Sequence, residues 1–321
     1  MEIIDCFEND KIIEQIVKEK NSQFMCAGYL FFGKDSETNW QFVHNLVLGL
    51  MCPFGGCKTC PDCIKVKEGT HPDILEYPQG KSLATSDSKS ILENAIKKPM
   101  IANKKIIIIN NIDISSEEAQ NKLLKTLEEP PKDVIFLATA QNLDKVLPTI
   151  QSRLVKKQVL SLKKDKIEKI FESERENPNF SLAIQNGAGY IGKTRNILQN
   201  KDFLQNYMLC KDIVQNLKST ANILEYIPPK LDKESFCLIL ENLSVFYRDI
   251  LMLKLGQENL VEDVYQKETF IGIKNEYSIT ALKKILENIN DANKKQFSNV
   301  GVNIILQTLL TKNLEVKFLC K

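Results

Sequence analysis

Lys104-Lys105-Ile106-Ile107-Ile108-Ile109-Asn110-Asn111 opens the stretch that decides the fold, and Thr149-Ile150-Gln151-Ser152-Arg153 closes it. Four consecutive isoleucines have the length and β-branched character of a strand buried on both faces of a parallel sheet. The two asparagines fall at its C-terminal tip, where open α/β sheets bind ligands. A helix is expected next. Ser115 is placed to cap it, Glu118 to reach back as in a capping box. Ala119, Leu123, Leu124 and Leu127 share one face of it, and Pro130-Pro131 ends it. Val134 to Thr139 reads as a second buried strand.

Upstream, Gly28-Tyr29-Leu30-Phe31-Phe32-Gly33 predicts a strand entering a glycine turn. Trp40, Val43, Leu46, Val47 and Leu50 predict a helix after it. That order is the setting of a phosphate-binding loop, G-x-x-x-x-G-K-[ST]. Counted from Gly33, the glycine, lysine and hydroxyl positions hold Thr38, Asn39 and Trp40. Asn39 brings no cation to the phosphates, and Trp40 can neither ligate magnesium nor fit where a small hydroxyl belongs. A P-loop site also needs a carboxylate at a strand tip to hold magnesium, and the tip of the isoleucine strand has Asn110 and Asn111. An amide is a poor magnesium ligand and no base. Asp113 reads as a solvated loop carboxylate. With both elements degenerate, the chain is expected to hydrolyse no ATP by itself and to need no bound nucleotide.

Between the two lie Cys52, Cys57, Cys60 and Cys63, spaced C-x4-C-x2-C-x2-C, with Gly55-Gly56 allowing tight turns. Four thiolates so spaced suit a tetrahedral zinc with no open position, hence a structural one. The other reading is reactive or incidental thiols. Cys6, Cys26, Cys210, Cys237 and Cys320 are scattered and read as ordinary thiols.

The 321 residues fit two or three domains. With 43% hydrophobic and 26% charged residues and a net charge of +2, the chain lacks the footprint of a stand-alone nucleic-acid binder. Contact with DNA would need a local patch or an assembly. Met1-Glu2-Ile3-Ile4-Asp5 does not start a signal peptide, and no segment nears the roughly 18 to 20 apolar residues of a membrane span. A cytoplasmic protein with reduced thiols is expected. Neither His44 nor His71 adjoins a nucleophile motif, which argues against a Ser-His-Asp hydrolase. His71-Pro72-Asp73 reads as a turn.

Ile12, Ile13, Ile16 and Val17 mark an N-terminal helix. Gly80-Lys81-Ser82 and Ser86-Asp87-Ser88 predict a loop before a helix over Ile91, Leu92, Ala95 and Ile96. Short helices around Asn177-Pro178-Asn179 give way to longer ones striped by Phe236, Leu240, Leu243, Tyr247 and Ile250, then by Ile285, Leu286 and Ile289, then by Ile304, Ile305, Leu309 and Leu310.

Asn121-Lys122-Leu123-Leu124-Lys125-Thr126-Leu127-Glu128-Glu129-Pro130-Pro131, followed by Thr149 to Arg153, resembles the AAA+ subunits of the bacterial DNA polymerase III clamp loader. The resemblance covers 1–202 in motif order and the rest in length and helicity. It implies an α/β domain with a parallel, P-loop-type sheet over 1–162 and a zinc module inserted at 52–63. A small helical lid domain over 163–204 and an all-α collar over 205–321 would follow.

By resemblance, Ser152 and Arg153 lie at the subunit face. Arg153 reaches a neighbour's ATP site as an arginine finger, although alone it would read as a surface residue. Lys193 stands where active relatives have a basic sensor. The first two cysteines are closer together than in the family, and Leu154 replaces a cysteine that often follows the arginine. A kept zinc module and arginine with a lost P-loop imply a non-hydrolysing member of a five-subunit ring. Its partners would be the gamma/tau and delta subunits and, through the assembly, the sliding clamp and primed DNA. The alternatives are a gamma/tau-like or other AAA+ ATPase, and a free-standing zinc-dependent nucleic-acid binder.

Overall fold

The computed structural model describes all residues except 1, 2, 5, 8, 9, 21–24, 79–81, 264, 265, 296–299 and 321. Met1, Glu2, Asp5, Gly80 and Lys81 of the sequence reading therefore lie outside the described residues. The chain divides into two compact units, residues 1–172 with 189–192, and residues 173–188 with 193–321.

The first unit begins with α1 (Lys11–Glu19), capped by Asp10, whose carboxylate accepts from Ile12 N and Ile13 N. Then follow β1 (Gly28–Phe32), α2 (Ser36–Met51), α3 (Pro61–Lys67), β2 (Ile74–Tyr77), α4 (Thr85–Ala95), β3 (Lys105–Ile109) and α5 (Glu117–Glu128). β4 (Val134–Ala140), α6 (Pro148–Gln151), β5 (Val155–Gln158) and α7 (Lys164–Ile170) complete it. The five strands form one sheet in the order β2-β3-β4-β1-β5, every pairing parallel. β3 and β4 are buried at every residue, as the isoleucine run predicts for central strands covered on both faces. Ile107, Ile109, Phe136 and Ala138 join Ile91, Ala119, Leu123 and Ile150 in one core. The one cation in β3, Lys105, is buried and donates from Nζ to Asn94 O at 3.0 Å and Lys97 O at 2.7 Å, carbonyls at the end of α4.

Three local expectations change. Ser116, not Ser115, caps α5, accepting from Ala119 N at 3.2 Å; Ser115 instead closes a short 3-10 turn over Ile112–Ile114. Ser86, Asp87 and Ser88 belong to the first turn of α4, because Asp87 reaches back to Ala84 N at 2.8 Å. Asp113 is buried, and its Oδ2 accepts from Gln141 N at 3.2 Å and Asn142 N at 3.0 Å beyond the end of β4.

The second unit is helical: α8 (Phe180–Asn186), most of α9 (Ile191–Gln199), α10 (Phe203–Asn216), α11 (Lys233–Lys254), α12 (Lys267–Ile273), α13 (Ile279–Lys295) and α14 (Val302–Leu319). The α11 stripe from Phe236 to Ile250 is buried as predicted. Gly256 follows the C-cap with φ +75, the left-handed geometry of a helix stop. In α14, Ile305, Leu309 and Leu310 are buried while Ile304 is exposed, since Leu306 takes the inward place instead. No helix among the described residues is long and apolar enough to cross a membrane.

Candidate functional site

Two strand tips of the sheet, Gly33 after β1 and Asn110 after β3, flank the end of β4. The turn after β1 is only Gly33-Lys34-Asp35, because α2 starts at Ser36 with Asp35 as N-cap. Helix geometry thus takes over before the loop has room to wrap a phosphate.

The positions a phosphate would use are filled by the chain's own polar groups. Asn39, fully buried, donates from Nδ2 to Gly33 O and to Ala140 O, each at 3.0 Å. Its Oδ1 lies where a Cβ on residue 33 would come within 2.5 Å, so only glycine permits the contact. Asp35 Oδ2 accepts from Thr38 N at 2.8 Å, Thr38 Oγ1 at 2.5 Å and Gly192 N at 2.9 Å. Thr38 Oγ1 in turn accepts from Ile191 N at 2.9 Å. A side-chain carboxylate therefore stands at the helix N-terminus, where backbone N–H groups and the dipole favour an anion.

The magnesium positions are rewired as well. Glu76, at the end of β2, accepts on Oε1 from Trp40 Nε1 at 2.6 Å and Asn110 Nδ2 at 2.5 Å. Its Oε2 faces His44 Nε2 at 3.2 Å, and the Trp40 and His44 rings stack with centroids 3.7 Å apart. Burial pushes the Glu76 carboxyl up, but His44, with the Trp40 and Asn110 donors, brings it below the usual glutamate range. Residues 40 and 110 thus turn donors inward, where a metal site needs acceptors. Asn111 sits in left-handed geometry, φ 49, with Ser36 Oγ donating to its Oδ1 at 2.7 Å. Asp35 and Glu76 were missed in the sequence reading. Asp35 carried a signal, an N-cap residue just before the helical pattern; Glu76 carried none.

The four cysteines do converge. Cys52 ends α2, Cys60 caps α3, and the Sγ atoms of Cys52, Cys57, Cys60 and Cys63 all lie within 4.8 Å of one another. Cys52 and Cys60 Sγ are 3.8 Å apart, which is the spacing of about 3.8 Å that follows from a tetrahedral ion with bonds of about 2.3 Å. Gly55, Gly56 and Lys58 take positive φ to fold the loop. Backbone N–H groups of Phe54 and Cys57 point at Cys52 Sγ, at 3.3 and 3.2 Å, and Lys58 N at Cys63 Sγ, at 3.3 Å. Donors of this kind favour thiolate. Thr59 and Cys60 N–H groups hold Cys57 down to about 6. Burial raises Cys52, yet three backbone donors bring it below the usual thiol range, while burial dominates at Cys63 and raises it. The donor set fits a closed metal site with sulfur ligands.

His71 is buried behind this module. Its Nδ1 accepts from Asp73 N at 3.2 Å, its Nε2 lies 3.9 Å from Asp62 Oδ1, and burial holds it below the usual histidine range. Asp73 accepts from Met100, Ala102 and Ile101 N–H groups at 2.5, 2.8 and 2.8 Å, tying the loop between α4 and β3 to the start of β2.

Arg153 stands at the opposite edge of the sheet. It precedes β5, whose Val155 pairs with Tyr29 near the start of β1. From there to Gly33 the strand runs about 13 Å at 3.3 Å per residue. Arg153 donates from Nη1 to Thr149 O at 2.6 Å and from Nη2 to Glu128 Oε1. Its Nε is buried without a hydrogen-bond partner. Ser152 is exposed and donates to Thr149 O at 3.0 Å. Lys193 lies in the first turn of α9.

A family model described as DNA polymerase III, delta subunit, matches residues 8–166. The delta prime subunit of DNA polymerase III from Bacillus subtilis is 25% identical over 296 residues, 88% of this chain and 89% of that protein. The gamma subunit from Buchnera aphidicola subsp. Baizongia pistaciae is 29% identical over 160 residues, 47% of this chain and 43% of that one. The tau subunit from Escherichia coli is 31% identical over 129 residues, 39% and 20%. The chain spans less than half the length of these last two. A likeness that runs nearly end to end with one clamp-loader subunit, and partway into two others, places this chain in the AAA+ clamp-loader family of DNA polymerase III.

Proposed function

We propose that the chain acts as a delta prime subunit: a clamp-loader member that hydrolyses no ATP itself and supplies Arg153 in trans to the ATP site of an adjacent gamma/tau subunit. One observation carries this reading. Arg153 stands at the sheet edge opposite the chain's own phosphate turn, so a phosphate within its reach belongs to another subunit. A guanidinium there would stabilise charge on the transferred phosphoryl group, with Ser152 beside it at the subunit face. The turn closed by Asp35 and Asn39, and the Trp40–Glu76–Asn110 link, support the absence of turnover by the chain alone. Cys52, Cys57, Cys60 and Cys63 would hold a structural zinc. Residues 1–162 would form the AAA+ domain, 163–204 the lid and 205–321 the collar that joins gamma/tau and delta in the ring. That ring would open the sliding clamp and place it on primed DNA in the cytoplasm.

The test is ATP turnover by the assembled loader with clamp and primed DNA, comparing wild type with Arg153→Ala. A finger is worth on the order of 10³ to 10⁵ in rate at its site. The share of turnover from that one site should therefore vanish while the assembly keeps its size on a sizing column. Equal turnover would leave the chain a structural wedge. Turnover by the purified chain alone would favour the gamma/tau-like alternative.

A further inference from the structure

The arginine assigned to the neighbouring site is held by a carboxylate of its own chain. Glu128 is the last residue of α5, and its Oε1 accepts from Arg153 Nη2, forming an ion pair. Thr149 O takes Nη1 at 2.6 Å, and Nε is buried with no partner. A guanidinium has five N–H donors, so this chain offers acceptors to only part of the fork. The side chains of Arg153 and Glu128 are 26% and 49% exposed, which leaves the pair open to exchange with an incoming anion. A phosphoryl oxygen and a carboxylate oxygen compete for the same face of the fork.

We propose that Glu128 is a positioning residue that parks Arg153. The carboxylate holds the guanidinium along the α6 end until the γ-phosphate of the neighbour's nucleotide displaces it. This rests on the reading of Arg153 as a trans-acting finger. Because an exposed ion pair is weak, the restraint is small: Glu128→Gln should raise turnover in the resting loader, without clamp and DNA, roughly two- to fivefold. Turnover with saturating clamp and primed DNA, where the finger is already engaged, stays unchanged.

The experiment uses the reconstituted loader with wild type, Glu128→Gln, Glu128→Asp, Arg153→Ala and the double variant Glu128→Gln/Arg153→Ala, each with its melting temperature. A raised resting rate in Glu128→Gln, restored by Glu128→Asp and abolished in the double variant, supports the parked state. A resting rate equal to wild type, with Arg153→Ala still impaired, overturns it and leaves the finger intact. A lowered DNA-stimulated rate in Glu128→Gln also overturns it, since the carboxylate would then be aiming the arginine forward. Unimpaired Arg153→Ala removes the finger reading itself and this proposal with it.

Discussion

The two edges of the sheet differ in how they treat their polar groups. At the C-terminal edge the side-chain donors are turned inward: Asn39 onto Gly33 and Ala140, Thr38 onto Asp35, Trp40 and Asn110 onto Glu76. At the N-terminal edge Arg153 keeps a buried Nε with no partner. What the C-terminal tips leave unpaired are buried acceptors, Asn39 Oδ1, Asn110 Oδ1 and Asp113 Oδ1, which suit no phosphate, whereas the Arg153 guanidinium has more donors than its chain has acceptors for. One edge thus keeps the strand-turn-helix order of a nucleotide site with its polar groups turned onto one another, and the other presents a guanidinium that its own chain only partly engages.

The largest effect is expected at the cysteine module, which lies between helices of this same domain. Zinc bound by such a set contributes about 10 to 16 kcal/mol in small metal-folded modules. Cys60→Ser, or a strong chelator, should therefore release one metal ion per chain by elemental analysis and unfold the segment from Cys52 to Cys63. No metal in the native protein would end that assignment. Next comes the support of the N-terminal edge: Asp73→Ala strands three backbone N–H groups and should cost about 2 to 4 kcal/mol in denaturant unfolding. A loss below 0.5 kcal/mol, by the same order-of-magnitude reckoning, would mean the loop after α4 rearranges freely.

Restoring the lost motif residues would break the contrast between edges most directly. Asn39→Lys with Trp40→Thr returns the phosphate cation and the metal hydroxyl, but leaves Asp35 at the helix N-terminus. The double variant is expected to show no ATP binding by calorimetry at nucleotide concentrations of about 1 mM, the usual upper range for substrates. Asp35→Ala should cost about 0.5 to 2 kcal/mol as a lost cap, measured by thermal unfolding. Tight ATP binding by the double variant would show that residue type, not occupancy, silences the site.

The smallest effect is electrostatic. Glu76 has a folded-state pKa below its ordinary value. Its contribution is therefore fully present above the unfolded value, about 4.3, and is lost as pH falls from there through the folded value. Glu76→Gln should flatten that part of the stability curve and leave it unchanged at pH 7 apart from a constant offset. An acid limb identical to wild type would remove Glu76 as a charged centre of the link.

The sheet was legible because its central strands are continuous apolar runs, and the cysteine set because four thiols lie within a dozen residues. The long helices were legible in their apolar period. Errors came where neighbouring residues compete for one role. Ser115 and Ser116 both satisfy the capping pattern, and only the preceding 3-10 turn assigns Ser115 elsewhere. Asp113 has the composition of a loop carboxylate, yet two N–H groups beyond β4 bury it.

The sequence by itself determined that the P-loop lysine, the hydroxyl and the strand-tip carboxylate are missing, because identity at a counted position needs no coordinates. It also determined that the cysteines could share a metal. Only the tertiary structure decided what replaced the missing groups. Glu76 and Asn110 meet across adjacent strands, Asp35 meets Gly192 across 157 positions of chain, and Glu128 meets Arg153 across 25. Such pairs leave no periodic trace in sequence. They exist because strand order and register bring distant polar groups together, where a hydrogen bond offsets the cost of taking such groups out of water.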